Sequence, residues 1–113
     1  MHIADKSYSN MLAILCYIEN NYKTCTLASI AHAFGYHEKY ICSFIKKNCG
    51  KNLRQLKREI RLKKAIDYLK NSDLPIYQIA EETGYTNRTQ FYKEFEQMYH
   101  VLPSVFRPAG SKG

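Results

Sequence analysis

Tryptophan is absent from the 113-residue chain, and proline and glycine are scarce at three and five residues. So few backbone breakers exclude a collagen-like or linker composition. Long apolar runs are missing as well. The longest, Met11 to Ile18, has eight residues, against about 20 for a membrane-spanning helix. It lacks the basic flank and small-residue cleavage site of a secretion signal, so the chain is expected to be soluble and cytoplasmic, with no membrane partner. The four cysteines form no Cys-x-x-Cys pair, and the four histidines are scattered with no His-Glu-x-x-His. No metal site and no cofactor are expected from such spacing, and the thiols read as small side chains in a reducing compartment. With no nucleophile–base pair and no glycine-rich phosphate loop, the chain is not expected to be an enzyme. Acidic residues are the last shortage. Ten Asp and Glu face 17 Lys and Arg, a formal charge of +7, which suits a nucleic-acid or other anionic partner.

What is present can build a core. Hydrophobic residues make up 45% and aromatics 13% of the chain, enough for one folded domain. Apolar positions recur at helical spacing almost throughout. A first helix is expected from about Ser9 to Tyr22, with Leu12, Leu15, Ile18 and Tyr22 on its apolar face, preceded by an N-terminal arm over 1–8. Thr26 reads as the N-cap of a short helix from Leu27 to Phe34, ended by Gly35. The next helix runs from about His37 to Asn48, with Tyr40, Ile41, Phe44 and Ile45 inward, and stops at Gly50. Asn52 and Gln55 have the spacing of a reciprocal capping pair, opening the longest helix, which ends near Lys70. Pro75 suits the first turn of a helix that ends at Gly84. Asn87 to Tyr99 follows, with Phe91, Phe95 and Met98 inward. Pro103 opens a last short turn, and residues 108–113 are expected to fray.

Two stretches repeat. Ile30-Ala31 and Gly35-Tyr36 recur 49 residues later as Ile79-Ala80 and Gly84-Tyr85, and Ile41 and Ile45 recur 50 residues later as Phe91 and Phe95. Each copy is a helix, a glycine turn and a second helix, with a small Ala that lets the helices approach. A helix-turn-helix of this kind places its second helix in the DNA major groove.

The order of motifs resembles the DNA-binding domain of AraC/XylS-type bacterial transcription regulators. The first half carries Leu27-x-x-Ile30-Ala31-x-x-x-Gly35-Tyr36 and Phe44-x-x-Lys47-x-x-Gly50, followed by Ile60-Arg61-Leu62-x-x-Ala65-x-x-x-Leu69. The second half carries Pro75-Ile76-x-x-Ile79-Ala80-x-x-x-Gly84-Tyr85, then Gln90-Phe91-x-x-x-Phe95 and Pro103-Ser104-x-x-Arg107. The resemblance covers about residues 9–107. It implies an all-α fold of about seven helices, in which two helix-turn-helix subdomains (about 9–50 and 73–107) are joined by a long helix over about 52–70. As a helix, residues 53–70 measure about 27 Å, and adjacent turns of one major-groove face lie roughly 34 Å apart. Three positions depart from the family pattern. Ile45 stands where Phe is usual, Glu96 follows Phe95 where Lys is usual, and His100 replaces the Gly before Val101-x-Pro103.

The resemblance implies sequence-specific binding of double-stranded DNA by a regulator, in the sense of an activator that touches RNA polymerase. It also implies that an N-terminal effector-binding domain can precede such a module. The family's base-reading positions fall here on Lys39, Cys42 and Ser43 and on Arg88, Thr89, Tyr92 and Lys93. Gln90, on the outward face of the second recognition helix, suits adenine; Arg88 and Lys93 suit guanine. Lys46, Lys47, Lys51, Arg54, Lys57 and Arg61 are the expected phosphate contacts. Residues 46–64 hold nine bases against the single acid Glu59, leaving eight bases and nine acids elsewhere, so the first half is expected to supply most of the electrostatic anchorage. The competing reading is a basic helical adaptor for RNA or acidic proteins. It accounts for the charge but not for the doubled Ile-Ala-x-x-x-Gly-Tyr pattern.

Overall fold

A computed structural model describes residues 3–108, with side chains from residue 10. Among them are six α-helices: α1 (Ile3–Asn20), α2 (Leu27–Phe34), α3 (Glu38–Cys49), α4 (Leu53–Asn71), α5 (Ile76–Glu82) and α6 (Arg88–Tyr99). A single 3-10 turn, Pro103–Phe106, follows. The all-α class is as expected. The expected seventh helix is this turn: four residues opened by a proline without an N–H leave room only for i→i+3 bonding. Helix α1 starts at Ile3 rather than Ser9, so residues 3–8 are helix and not an arm. No Gly or Pro interrupts Ile3–Asn20 to stop the helix there. The expected frayed tail lies outside the described residues from 109 onward.

The chain divides into two compact units between Lys57 and Arg58, within α4. In the first unit, α2 packs on α1 and α3. Its core is Ile14, Ile18, Tyr22, Cys25, Ile30, Ala31, Ile41 and Ile45, each under a tenth exposed. Two expectations fail here. Leu12 is exposed and Leu15 only half-buried, because the buried stripe of α1 runs through Ile14 and Ile18, one turn apart. Tyr40 is exposed rather than inward. It sits about 100° around the helix from Ile41, on a flank where its ring packs between Tyr36 (4.5 Å between centroids) and Phe44 (5.7 Å).

In the second unit, Leu62, Ala65 and Leu69 of α4 meet Ile79, Ala80, Tyr85, Phe91 and Phe95, all buried. An aromatic chain extends this core from Phe95 to Tyr99 (4.9 Å) and Phe106 (5.7 Å). Arg107 donates from one guanidinium nitrogen to the Ser72 carbonyl at 2.6 Å and from the other to the Leu74 carbonyl, tying the last turn to the α4–α5 connection. Val105 stays 64% exposed, while Pro103 is buried and Phe106 packs against the core.

The caps follow the sequence closely. Thr26 and Ser29 make a reciprocal box, with Ser29 N–H donating to Thr26 Oγ1 at 3.0 Å and Thr26 N–H to Ser29 Oγ at 2.9 Å. Asn52 and Gln55 do the same at 2.8 and 3.0 Å. Pro75 takes the N-cap of α5 rather than its first turn, and its carbonyl accepts from Gln78 and Ile79. Among the described residues, no helix is long and apolar enough to cross a membrane. No group of His, Cys, Asp and Glu among them could hold a metal ion.

His100 ends α6 in the left-handed region, at φ 62°, and its N–H donates to Glu96 O at 2.8 Å. Of the described non-glycine residues, it is the one with positive φ. A Cβ in this conformation costs about 1–2 kcal/mol. Replacing His100 with Gly is therefore expected to stabilise the protein by about 1 kcal/mol, part of the relief being offset by glycine's greater freedom when unfolded. Urea denaturation at neutral pH checks this; an unchanged or lower midpoint would mean that the His100 side chain contributes packing of its own.

Candidate nucleic-acid interface

Both helix-turn-helix units turn by the same backbone device. Tyr36 N–H donates to Ala31 O at 2.9 Å across Gly35, and Tyr85 N–H donates to Ala80 O at 2.9 Å across Gly84. The glycines sit at φ 73° and 97°. This is a helix C-terminus closed by a six-residue hydrogen bond with a left-handed glycine inside it. The repeated Ala-x-x-x-Gly-Tyr is thus a geometric requirement. The alanine supplies the carbonyl and a side chain small enough for close helix approach, glycine takes the positive φ, and the tyrosine supplies the closing N–H.

Each turn delivers the chain to the capped start of the next helix. His37 caps α3, its Nδ1 accepting from Lys39 N–H at 3.2 Å. Asn87 caps α6, its Oδ1 accepting from Thr89 N–H at 2.8 Å and Gln90 N–H at 3.3 Å. With Ile41 and Ile45 of α3 and Phe91 and Phe95 of α6 buried, the opposite faces turn outward. Lys39, Cys42 and Ser43 are exposed on α3; Arg88, Thr89, Gln90 and Lys93 are exposed on α6. Tyr92 is half-buried, its ring 5.8 Å from Phe91 and packed against the core.

The phosphate candidates separate into two groups. Lys46, Lys47 and Arg54 are exposed, and Lys51 is half-buried. Lys57 instead donates through Nζ to the Cys25 carbonyl at 2.6 Å, which ties the start of α4 to the loop before α2. Arg61 is half-buried with its guanidinium 5.4 Å from the centre of the Tyr85 ring, and its Nε is buried without a hydrogen-bond partner. Both were expected to reach phosphates, yet both are engaged inside their own units. Long basic side chains lay their apolar stems along the protein, and here the charged ends meet a carbonyl and an aromatic face, contacts that charge counting does not see.

A side-chain network on α6 was also not anticipated. Tyr85 Oη donates to Glu94 Oε1 at 2.6 Å, and Gln90 Nε2 donates to Glu94 Oε2 at 2.6 Å. Glu94 is half-buried and folded onto these two donors. The i,i+4 spacing of Gln90 and Glu94 was the available signal. The Tyr85 phenol is held well above the usual range, chiefly by burial, then by the hydrogen bond to Glu94 and that carboxylate's charge, with Arg61 acting in the opposite direction. Burial also raises Tyr99, with the charge of Glu59 adding to the effect.

A phenol raised in the folded state contributes stability that is present below its unfolded value of about 10 and is lost as pH rises above it. Wild type is therefore expected to lose stability between pH 9 and 11 (roughly, from the phenol's ordinary value) faster than Tyr85→Phe does. At neutral pH the variant should be about 1 kcal/mol less stable for want of the hydrogen bond. Denaturant midpoints of the two proteins across this range check the sign, and a constant gap would show that Tyr85 does not carry the effect.

A family profile described as a helix-turn-helix domain matches residues 25–109. Multiple antibiotic resistance protein MarA of Escherichia coli K12 is 26% identical over 102 residues, covering 89% of this chain and 80% of MarA. YobQ, an uncharacterized HTH-type transcriptional regulator of Bacillus subtilis, is 25% identical over 107 residues, covering 94% of this chain. The chain spans only 44% of the length of YobQ. Among solved structures, the C-terminal domain of AraT, a response regulator from Geobacillus stearothermophilus, superposes with a TM-score of 0.76 at 28% identity, covering 89% of this chain and 85% of that one. The doubled glycine turn, the outward faces of the two second helices and these similarities place the chain in one family: it belongs to the AraC/XylS-type helix-turn-helix domains, the DNA-binding domains of bacterial transcription regulators.

Proposed function

We propose that the chain binds double-stranded DNA sequence-specifically, with α3 and α6 each inserted into a major-groove segment and the two segments adjacent on one face of the duplex. The observation that carries this reading is the duplicated presentation of an outward polar helix face by one turn chemistry. Lys39, Cys42 and Ser43 are exposed on α3, and Arg88, Thr89, Gln90 and Lys93 on α6. Lys and Arg at such positions match guanine O6 and N7, Gln matches adenine, and Thr can meet a thymine methyl. Tyr92 adds an apolar edge beside them. Lys46, Lys47, Lys51 and Arg54 supply the phosphate contacts, with Lys57 and Arg61 in supporting roles inside their units. The regulatory sense is activation through a contact with RNA polymerase, as the AraC/XylS resemblance implies.

Binding to a selected duplex is expected to weaken linearly in log K against log salt, with a slope of about −0.9 per phosphate neutralised, so several-fold steeper than −1 for this set of contacts. Competition with structured RNA at fixed salt separates the adaptor reading: equal displacement by RNA would favour it. Lys93→Ala is expected to relax preference at one base position and cost about 1–3 kcal/mol. A uniform loss over all sequences would instead make Lys93 a phosphate contact.

A further inference from the structure

Glu94 is the one acidic residue drawn into the candidate reading surface of α6 by hydrogen bonds on both of its oxygens. We infer that Tyr85 and Glu94 are positioning residues that lock the Gln90 amide in one orientation, so that Gln90 selects adenine at a single position of the site. The inference rests on the proposal that α6 reads base edges.

The argument begins with the amide. A glutamine side chain presents a donor and an acceptor of nearly equal shape, and rotation by half a turn exchanges them. An exposed glutamine free to rotate can therefore match more than one base edge. Gln90 is exposed but not free, since its Nε2 donates to Glu94 Oε2 at 2.6 Å. An ionised carboxylate only accepts, so this bond fixes which end of the amide faces Glu94. A charge-assisted bond of that length is also among the stronger side-chain bonds. The amide is left with its second N–H and its carbonyl oxygen, one donor beside one acceptor. Adenine offers the complement in the major groove, an acceptor at N7 and a donor at N6.

The anchor is itself anchored. Glu94 Oε1 accepts from Tyr85 Oη at 2.6 Å, and the Tyr85 ring is buried in the core beneath the Arg61 guanidinium. Tyr85 belongs to the glycine turn, its backbone N–H closing the bond to Ala80. Orientation thus passes from a buried aromatic, through a carboxylate, to an exposed amide on the helix face. The first helix-turn-helix has no counterpart. Its turn tyrosine, Tyr36, is exposed and contacts Asn10 and Tyr40, and the outward positions Cys42 and Ser43 carry no amide.

The test is selection of bound sites from random duplex DNA by the 113-residue chain, followed by affinity measurements on single-base variants of the selected site. Wild type should show one position where adenine is preferred and where Gln90→Ala lowers that preference by about tenfold. Glu94→Ala should lower the preference at the same position by about three- to tenfold and leave the other positions unchanged. Tyr85→Phe, which keeps the ring in the core, should lower it by a smaller factor. Glu94→Ala added to Gln90→Ala should change that position no further, as two members of one unit must. In the unbound protein, one Gln90 side-chain amide proton should exchange slowly and lose that protection in Glu94→Ala. A general loss of stability would move neither the single-position preference nor this one proton. If Gln90→Ala alters a base preference and Glu94→Ala does not, or if Glu94→Ala changes affinity equally for all sequences, the positioning role is overturned while DNA reading by α6 stands. If wild type selects no sequence, the DNA-binding proposal falls and this inference falls with it.

Discussion

The structure depends on one backbone hydrogen bond made twice, from a tyrosine N–H back to an alanine carbonyl across a left-handed glycine. It closes the C-terminus of α2 and of α5 and sets the direction in which α3 and α6 leave. Everything at the candidate interface is downstream of it. Once the turn is set, Ile41 and Ile45 or Phe91 and Phe95 must fill the space beside Ala31 or Ala80, and the remaining helix faces have only solvent or a ligand to meet. The same device serves two differently filled cores, aliphatic in α3 and aromatic in α6. The turn specifies the helix direction, and the volume between the helices is filled by whatever matches it.

Charge is distributed by a different logic. The basic segment that spans the end of α3 and much of α4 looks uniform along the chain, but its members do unlike things. Lys46, Lys47 and Arg54 stay in solvent, while Lys57 holds the Cys25 carbonyl and Arg61 lies over Tyr85. Engaged cations of this kind contribute to the fold as well as to the local potential. In the second unit a carboxylate close to the outward face is held by two donors rather than left to oppose DNA. The electrostatic character of each half therefore follows from which charges are tied down as much as from how many there are.

Much of this was legible in the residues. The Thr26 cap, the Asn52–Gln55 box, the glycine stops and the duplicated helix-turn-helix are local chemistry at fixed spacing, and local chemistry survives folding. The outward positions of α3 and α6 could be read because the inward ones repeat at i and i+4. The misses share a cause. Leu12 and Tyr40 are as apolar as the residues that are buried, and periodicity alone could not choose between neighbouring stripes on one helix. The start of α1 lacked a stop signal that would have placed it. The internal contacts of Lys57 and Arg61 were not legible, because the atoms that hold them come from residues 32 and 24 positions away in the chain.

What the sequence determined by itself is the set of local devices: the order of the helices, most of their caps, the two glycine turns and hence the family. Each is decided by interactions within a few residues, where spacing is geometry. What only the tertiary structure decided is which polar side chains remain available. The carbonyl that takes Lys57, the aromatic ring that takes Arg61 and the phenol that fixes Glu94 are brought near by packing. Whether a charged or amide group faces a ligand or the protein depends on such neighbours, which linear spacing does not bring into view.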